Sequence, residues 1–219
     1  MRILPGKQGT PEWLQNRLGV VTASNLDQIL TPGGKLSASS SKYLARLVAE
    51  WFTGAPVEAE KSQFMERGNT LEPEAVSAWE WEAGLSTTEV GFCVRDDGLV
   101  GCSPDRLVGE DGGLEIKCPS IVKHLEYYFN PAMLEADYRM QVQGCLWITG
   151  RDWWEIVSWN PILPMVKQAV KPDVELHARL DMVVADFLER LTESKAKFQD
   201  LKDLQDTTKR EREDGEHPF

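Results

Sequence analysis

The sequence predicts a mixed α/β fold formed as one domain, and three observations support this prediction. Hydrophobic residues make up 42% and charged residues 27% of the 219 residues, which is typical of a globular protein. A chain of this length can bury one substantial core but is short for two domains. Segments with helical periodicity come before and after a block of short strands separated by turns.

The first half of the chain is predicted to contain four helices, because apolar residues with helical periodicity follow residues that cap helix N-termini. Thr10-Pro11 begins the first helix and Thr22-Ala23-Ser24 begins the second. Gly84 ends the fourth, since glycine readily adopts the left-handed conformation that closes a helix. We expect these helices at residues 10–18, 23–30, from the serine cluster 37–41 to about 52, and 65–83.

The middle of the chain is predicted to form strands. Short runs of strand-forming residues occur at 86–94, 98–103 and 113–118. The glycine-containing turns at 96–98 and 109–113 separate them and indicate antiparallel neighbours. We therefore expect a hairpin over residues 98–118 at the middle of the sheet.

The last third is predicted to return to helices with one strand between them. Aromatic and β-branched residues at 153–159 indicate that strand, which follows a helix over 134–149. A long helix is expected from Asp173 to around Leu204. We expect residues 1–219 to form a single domain, with 205–219 as a flexible charged tail.

Cysteine and histidine are too scattered to form a reactive centre. The four cysteines lack the close pairs of zinc or thioredoxin-like motifs, so we expect reduced, mostly buried thiols. The three histidines are isolated from one another. No apolar run approaches the roughly 20 residues that span a bilayer, and the first residues lack the apolar segment of a signal peptide. We expect a cytoplasmic protein whose chemistry comes from carboxylates and lysine.

Three polar residues around the predicted hairpin carry the strongest chemical signal. Side chains alternate along a strand, so Glu115 and Lys117 project to one face while Leu114 and Ile116 enter the core. The hairpin is expected to bring Asp105 beside them. Two carboxylates at such close spacing suit a hard cation such as Mg²⁺, which can polarise a phosphoryl group and acidify a bound water.

A Glu-x-Lys pair on a strand has a simpler interpretation when taken alone. Such a pair is more often a solvated ion pair that contributes at most about 1 kcal/mol. Pro104-Asp105, which precedes it across a glycine-rich turn, favours a catalytic site. The full pattern Pro-Asp…Glu-x-Lys resembles that of the PD-(D/E)xK nucleases. This resemblance implies a restriction-endonuclease-like core, in which a central mixed β-sheet is flanked by helices.

Five short motifs make the resemblance more specific. They lie within a stretch that covers most of residues 12–160, at 13–24, 67–72, 102–105, 113–119 and 141–143. In this order they resemble the phage lambda exonuclease family, also called YqaJ-like viral recombinases. The resemblance implies metal ligation by Asp105, Glu115, the backbone carbonyl of Ile116 and, commonly through water, Glu72.

The resemblance also implies roles for residues outside the hairpin. Gln141 matches the glutamine that orients the nucleophile and contacts Lys117, although Gln143 is a competing choice. The family's pocket for a terminal 5′ phosphate matches Arg17, Thr22 and Ser24. A guanidinium binds phosphate in bidentate fashion, and hydroxyls and amides at a helix start add donors. The alternative is that Arg17 makes a surface ion pair and Ser24 caps a helix.

The function implied is a Mg²⁺-dependent 5′-to-3′ exonuclease on double-stranded DNA. It would act in phage-type recombination, release mononucleotides and leave a 3′ single strand, and Mn²⁺ is expected to substitute for Mg²⁺. The partners implied are DNA ends, a single-strand annealing recombinase and further copies of the chain in a homotrimeric ring, encoded by a phage or prophage in a bacterial cell. The alternatives are a restriction- or repair-type endonuclease on the same fold and an inactive DNA-binding accessory module.

The net charge of −11 argues against binding to a nucleic acid. Non-specific binding to DNA depends on Lys and Arg residues that neutralise phosphates. Carboxylates of a metal site and the acidic C-terminal part account for some of the negative total. If DNA is the substrate, basic residues must gather on one face or inside a channel.

Overall fold

The computed structural model of the protein describes residues 1–57 and 63–204, so the predicted tail at 205–219 lies outside the described residues. The helices in this part are α1 (Pro11–Arg17), α2 (Ser40–Thr53), α3 (Gln63–Ala83), α4 (Ile121–Phe129), α5 (Ala132–Thr149) and α6 (Val174–Ala196). The strands are β1 (Arg2–Leu4), β2 (Val21–Thr22), β3 (Thr87–Thr88), β4 (Phe92–Val94), β5 (Val100–Cys102), β6 (Arg106–Val108), β7 (Gly112–Lys117), β8 (Trp153–Asn160) and β9 (Leu163–Val170).

Thr10 and Gly84 place helix ends where these capping residues predict them. The Thr10 hydroxyl accepts a hydrogen bond from the backbone N–H of Trp13 at 3.3 Å and begins α1. Gly84 ends α3 in the left-handed conformation, with φ 66°. The helix predicted over 23–30 is instead a 3₁₀ helix, Ala23–Gln28. Thr22 makes no side-chain cap there, because its hydroxyl is bonded to Asn25.

The strands form two sheets, so the predicted hairpin over 98–118 is wrong. The small sheet has the order β1-β4-β5-β2 and the large sheet has the order β3-β6-β7-β8-β9. The run predicted as one strand at 86–94 is divided between the two sheets. The true hairpin is formed by β6 and β7, because the chain leaves the small sheet at Ser103-Pro104-Asp105. Proline has no N–H to donate, so it interrupts a strand ladder.

The turn of this hairpin is also shorter than predicted, because Gly112 and Gly113 belong to β7. They pair in parallel register with Trp153 and Trp154 of β8. A Cβ atom on Gly113 would lie 2.3 Å from the ring of Trp154, which is fully buried. Because these glycines have no side chain, the indole rings of Trp153 and Trp154 can pack directly against β7.

Gly113→Ala is expected to lower the free energy of unfolding by about 1–3 kcal/mol, because overpacking forces a rigid indole and the strand apart. Urea denaturation measures this loss. Gly68→Ala is the matched control, since a Cβ atom there meets nothing within 4 Å. Equal unfolding free energies for Gly113→Ala and the unsubstituted protein would contradict the packing argument.

Other elements were only partly predicted. Helix α4 and strands β1, β2, β6 and β9 were missed, and α6 ends at Ala196 rather than near Leu204. A turn at 197–198 separates α6 from a short helical segment at 199–204. The thiols are free as predicted, three of them buried and Cys118 half-buried. In the described part of the chain, every helix is too short or too polar to cross a bilayer.

Strand β7 lies at the centre of the large sheet, antiparallel to β6 and parallel to β8. Its Leu114 and Ile116 pack in an apolar cluster with Ala75 and Trp79 of α3. The alternate residues face the opposite side, toward α5. The fold thus presents Glu115 and Lys117 on a rigid central strand.

Candidate active site

A carboxylate, an ammonium and an amide meet between β7 and α5. Lys117 Nζ donates to Glu115 Oε1 at 2.6 Å and to Gln141 Oε1 at 3.3 Å. Gln141 Nε2 donates to the same Glu115 oxygen at 2.5 Å. The other oxygen, Glu115 Oε2, is buried and has no hydrogen-bond partner among the residues that the structure describes. A buried carboxylate oxygen without a donor is costly unless a cation compensates it.

Asp105 lies beside Glu115, on the segment where the chain crosses from the small sheet to the large one. Its Oδ2 accepts a hydrogen bond from the backbone N–H of Ile116 at 2.6 Å. Burial, together with the charge of Glu115, raises the pKa of the Asp105 carboxyl well above its ordinary value. A shared cation would relieve this repulsion and favour the charged form of Asp105.

Lys117 is a charged donor rather than a base. Burial opposes its charge, but the carboxylates of Glu115 and Asp105 outweigh burial and raise its pKa above the ordinary value. The ammonium also lies 4.7 Å from the ring centre of Tyr138. It therefore keeps its proton at physiological pH and can donate hydrogen bonds to negative oxygens.

These groups fit a hard divalent cation that takes few protein ligands. Within residues 1–57 and 63–204, no three His, Cys, Asp or Glu side chains form a complete metal cage. Mg²⁺ usually keeps several waters and binds one or two carboxylates plus a substrate phosphate. Asp105 and the unpartnered Oε2 of Glu115 supply that kind of donor set, and ligation by the backbone carbonyl of Ile116 stays a prediction.

Glu72 lies at the edge of this group. Its Oε1 pairs at 3.0 Å with Nη1 of Arg106, which lies on β6, the strand next to β7. Burial raises the pKa of Glu72. The Arg106 guanidinium opposes this rise, and the charge of Glu115 adds a smaller contribution in the same direction as burial. Glu72 is thus within electrostatic range of the site, and its contact with a metal through water stays a prediction.

The structure separates the two glutamines of α5. Gln141 contacts Glu115 and Lys117, as described above. Gln143 is buried on another side of the helix, where its amide donates to the carbonyl of Lys171 at 2.8 Å and accepts from the N–H of Asp173 at 2.9 Å. Gln143 therefore holds the connection between β9 and α6, and Gln141 is the glutamine at the site.

A cavity of about 150 Å³ connects the carboxylates to the predicted phosphate pocket. It opens between α5, the 3₁₀ helix and the segment that crosses between the sheets. Its lining includes all three predicted phosphate ligands together with three of the predicted catalytic residues: Arg17, Thr22, Ser24, Asp105, Glu115 and Gln141.

Arg17 is suited to bind an anion in this cavity. Its Nη1 donates to Ser103 Oγ at 2.8 Å, and its guanidinium lies 4.4 Å from the ring centre of Trp13. Burial lowers the pKa of Arg17, although a guanidinium stays protonated in proteins. Among the described residues, the hydrogen-bond partner of the Arg17 guanidinium is the neutral hydroxyl of Ser103 rather than a carboxylate, which favours the pocket over a surface salt bridge.

Ser103 is a site residue that the sequence reasoning missed. Its Oγ accepts hydrogen bonds from Arg17 Nη1 and, at 2.9 Å, from Trp13 Nε1. Because both donors use its lone pairs, the hydroxyl proton remains available to donate to a molecule in the cavity, which Ser103 also lines. Its place two residues before Asp105 was the available signal.

Comparison with known proteins identifies the family. The model of the YqaJ-like viral recombinase domain matches residues 12–152. The chain belongs to this family. Two structures of LHK-Exo, an alkaline exonuclease from Laribacter hongkongensis, are 33% identical to this YqaJ-like chain with a TM-score of 0.77. The match covers 89% of this chain and 100% of LHK-Exo, and one of the two structures is a complex with dAMP.

A more distant structure shares the fold. A phage-related exonuclease from Haemophilus somnus 129PT is 18% identical, with a TM-score of 0.59, over 83% of the YqaJ-like chain and 94% of its own. The comparison with curated proteins gives no match. The predicted family and the predicted mixed α/β fold of the restriction-endonuclease type are confirmed.

Proposed function

We propose that this protein is a Mg²⁺-dependent 5′-to-3′ exonuclease that degrades double-stranded DNA from its ends in phage-type recombination. Its family and its similarity to alkaline exonucleases make it a nuclease that acts on DNA. The finer proposal is supported by one observation, the cavity whose lining joins Asp105 and Glu115 to Arg17. A terminal phosphate bound by Arg17 would lie in the same cavity as Asp105 and Glu115, the carboxylates proposed to hold the metal for cleavage.

In the cleaving half of the cavity, Asp105, Glu115 and the Ile116 carbonyl would hold the metal, with Glu72 acting through water. When bound, Mg²⁺, or Mn²⁺ in its place, supplies a Lewis acid for the phosphate and lowers the pKa of a coordinated water. Lys117 donates to the phosphate oxygens as negative charge develops on them. Gln141 fixes the positions of the Lys117 and Glu115 side chains through one hydrogen bond to each.

In the anchoring half, Arg17 supplies charge and the hydroxyls of Ser103, Thr22 and Ser24 supply further donors. Hydrogen bonds from a guanidinium to phosphate are charge-assisted and directional. LHK-Exo has been crystallised with dAMP. A nucleoside monophosphate is the chemical class of the product proposed for this protein, and release of such products leaves a 3′ single strand.

The proposed assembly rests on the family. A homotrimeric ring could line its hole with basic residues and turn the negative surface outward, which would reconcile DNA binding with the net charge of −11. A single-strand annealing recombinase would cover the exposed strand, in the cytoplasm of a bacterium that carries the phage or prophage. Each subunit is proposed to be a single domain. A monomeric mass at working concentration would contradict the ring.

Digestion of linear duplexes blocked separately at each 5′ and 3′ end tests the central proposal. With Mg²⁺, we expect mononucleotides from every unblocked 5′ end, no loss when both 5′ ends are blocked, and no cleavage after chelation. Closed circular DNA should remain intact. Cutting of circles would indicate an endonuclease, and binding without turnover in Mg²⁺ would indicate an accessory module.

Arg17→Ala is expected to reduce kcat/KM on 5′-phosphorylated ends by about tenfold to a hundredfold, which is the worth of a hydrogen-bonded charge pair. Ends that carry a 5′ hydroxyl should be affected much less. Initial rates on matched duplexes measure both effects. Arg190→Ala is the control, because this exposed arginine pairs only weakly with Asp186 on α6, at 4.0 Å. Equal losses on the two kinds of end would argue against the pocket.

A further inference from the structure

We propose that Asn25 sets the preference for 5′-phosphorylated ends, by making the hydroxyl of Thr22 a hydrogen-bond donor toward the terminal phosphate. This inference rests on the proposed phosphate pocket and assigns a positioning residue behind it. Asn25 lies in the 3₁₀ helix, between the cavity and α2. It does not line the cavity and acts through Thr22, which does.

The orientation of the Asn25 carboxamide follows from its neighbours. Its Oδ1 accepts hydrogen bonds from Gln28 Nε2 at 2.6 Å and from Arg46 Nη2 at 2.9 Å. The Arg46 guanidinium is itself placed 4.8 Å from the ring centre of Tyr43. A guanidinium can only donate, so the oxygen of the amide must face Arg46. The NH₂ group of Asn25 must then face Thr22.

With this orientation Asn25 donates to one lone pair of the Thr22 hydroxyl, whose proton is then available to Ser24 Oγ, 3.4 Å away, or to a bound phosphate. Asn25 Nδ2 donates to Thr22 Oγ1 at 2.7 Å and lies 3.4 Å from Ser24 Oγ. A hydroxyl has one proton and two lone pairs, so a donor that occupies a lone pair leaves the proton for another acceptor. The backbone N–H of Thr22 donates to the Tyr43 hydroxyl at 3.1 Å, which fixes the residue further.

A phosphate oxygen can only accept hydrogen bonds. A hydroxyl whose proton is available therefore binds it, whereas a hydroxyl whose proton is already donated presents lone pairs and repels it. A 5′-hydroxyl end has no phosphate in the pocket and gains nothing from the orientation of Thr22. The Asn25 amide would thus act on discrimination between ends rather than on the cleavage step.

Asn25→Asp tests this directly, because it keeps the shape and the acceptor for Arg46 and Gln28 but replaces the donor to Thr22 with an acceptor. We expect kcat/KM on a 5′-phosphorylated duplex to fall about tenfold to a hundredfold, as for one hydrogen bond to a charged group. The change should lie mainly in KM, with the 5′-hydroxyl duplex unaffected. An equal loss on both duplexes, or none on either, would overturn the inference.

The negative charge of the new carboxylate could also repel phosphate, and Thr22→Val separates the two effects. Thr22→Val has no hydroxyl whose orientation Asn25 could set, so adding Asn25→Asp to it should lower kcat/KM on phosphorylated ends little further. If Asn25→Asp lowers kcat/KM as much in this background as alone, charge repulsion explains the loss and the inference is overturned. Asn25→Ala, which removes the donor without adding charge, should cost less than Asn25→Asp on phosphorylated ends. The reverse order would indicate a merely structural role.

Measuring Arg17→Ala on the same two duplexes distinguishes a failure of this inference from a failure of the proposed function on which it rests. If Arg17→Ala leaves the preference for phosphorylated ends intact, the proposed pocket fails and the role of Asn25 fails with it. If Arg17→Ala removes the preference and Asn25→Asp leaves it intact, the pocket stands and only the role of Asn25 is overturned.

Discussion

Lys117→Ala should reduce DNA cleavage by roughly a thousandfold, in line with the loss of one preorganised donor to a developing negative charge. Its ammonium is held by Glu115 and Gln141 and keeps its proton because of the carboxylates around it. No neighbouring side chain on β7 can replace it, since Ile116 and Leu114 face the core. Single-turnover cleavage of a linear duplex in Mg²⁺ measures the effect.

DNA binding by Lys117→Ala should be preserved, because the lysine acts on the reacting phosphate and contributes little to holding the duplex. Fluorescence anisotropy in Ca²⁺ measures binding without turnover. Lys123→Ala is the matched control: this lysine pairs with Glu126 and Asp137 on the surface, outside the cavity. It should cleave normally, and undiminished hydrolysis by Lys117→Ala would remove the proposed role.

Asp105→Asn should abolish metal-dependent cleavage while sparing the fold. The amide oxygen can still accept the hydrogen bond from Ile116, and the loss of charge removes repulsion with Glu115. Metal chemistry is worth several kcal/mol at a phosphoryl centre, so cleavage should fall by roughly a thousandfold or more. Thermal unfolding with and without Mg²⁺ supplies a second measurement that is independent of activity.

Mg²⁺ should raise the unfolding temperature of the unsubstituted protein, since a ligand at a hundredfold excess over its Kd stabilises by about 2.7 kcal/mol. Without metal, the unfolding temperature of Asp105→Asn should be at least as high as that of the unsubstituted protein, and Mg²⁺ should raise it little. Asp186→Asn, at an exposed carboxylate on α6, should keep both the response to Mg²⁺ and the activity. A full metal response in Asp105→Asn would mean that Asp105 is not a ligand.

The strand at the centre of the site could be predicted because its signal is local. Alternation along β7 requires only the sequence Leu114 to Lys117, and the structure follows it, with Leu114 and Ile116 in the core and Glu115 and Lys117 toward α5. The cap at Thr10 and the glycine after α3 are equally local. Such features depend on the chemistry of residues a few positions apart.

The pairing of strands could not be predicted in the same way. Strands β3 to β6 have two or three residues each, which is too few to show a period, and β7 pairs with β8 some forty residues later along the chain. The choice between Gln141 and Gln143 also required tertiary structure, because both lie on α5 and only packing decides which one faces β7. Ser103 was missed for the same reason, since its donors Trp13 and Arg17 come from a distant helix.

Proline at position 104 limits how far apart the two halves of the cavity can lie. Ser103, which bonds to Arg17, and Asp105 both line the cavity and are joined by two peptide units that span at most about 7 Å. The proline ring fixes one backbone dihedral and stiffens this link. The backbone therefore keeps the proposed phosphate anchor and the proposed metal ligand close together, whichever molecule occupies the cavity.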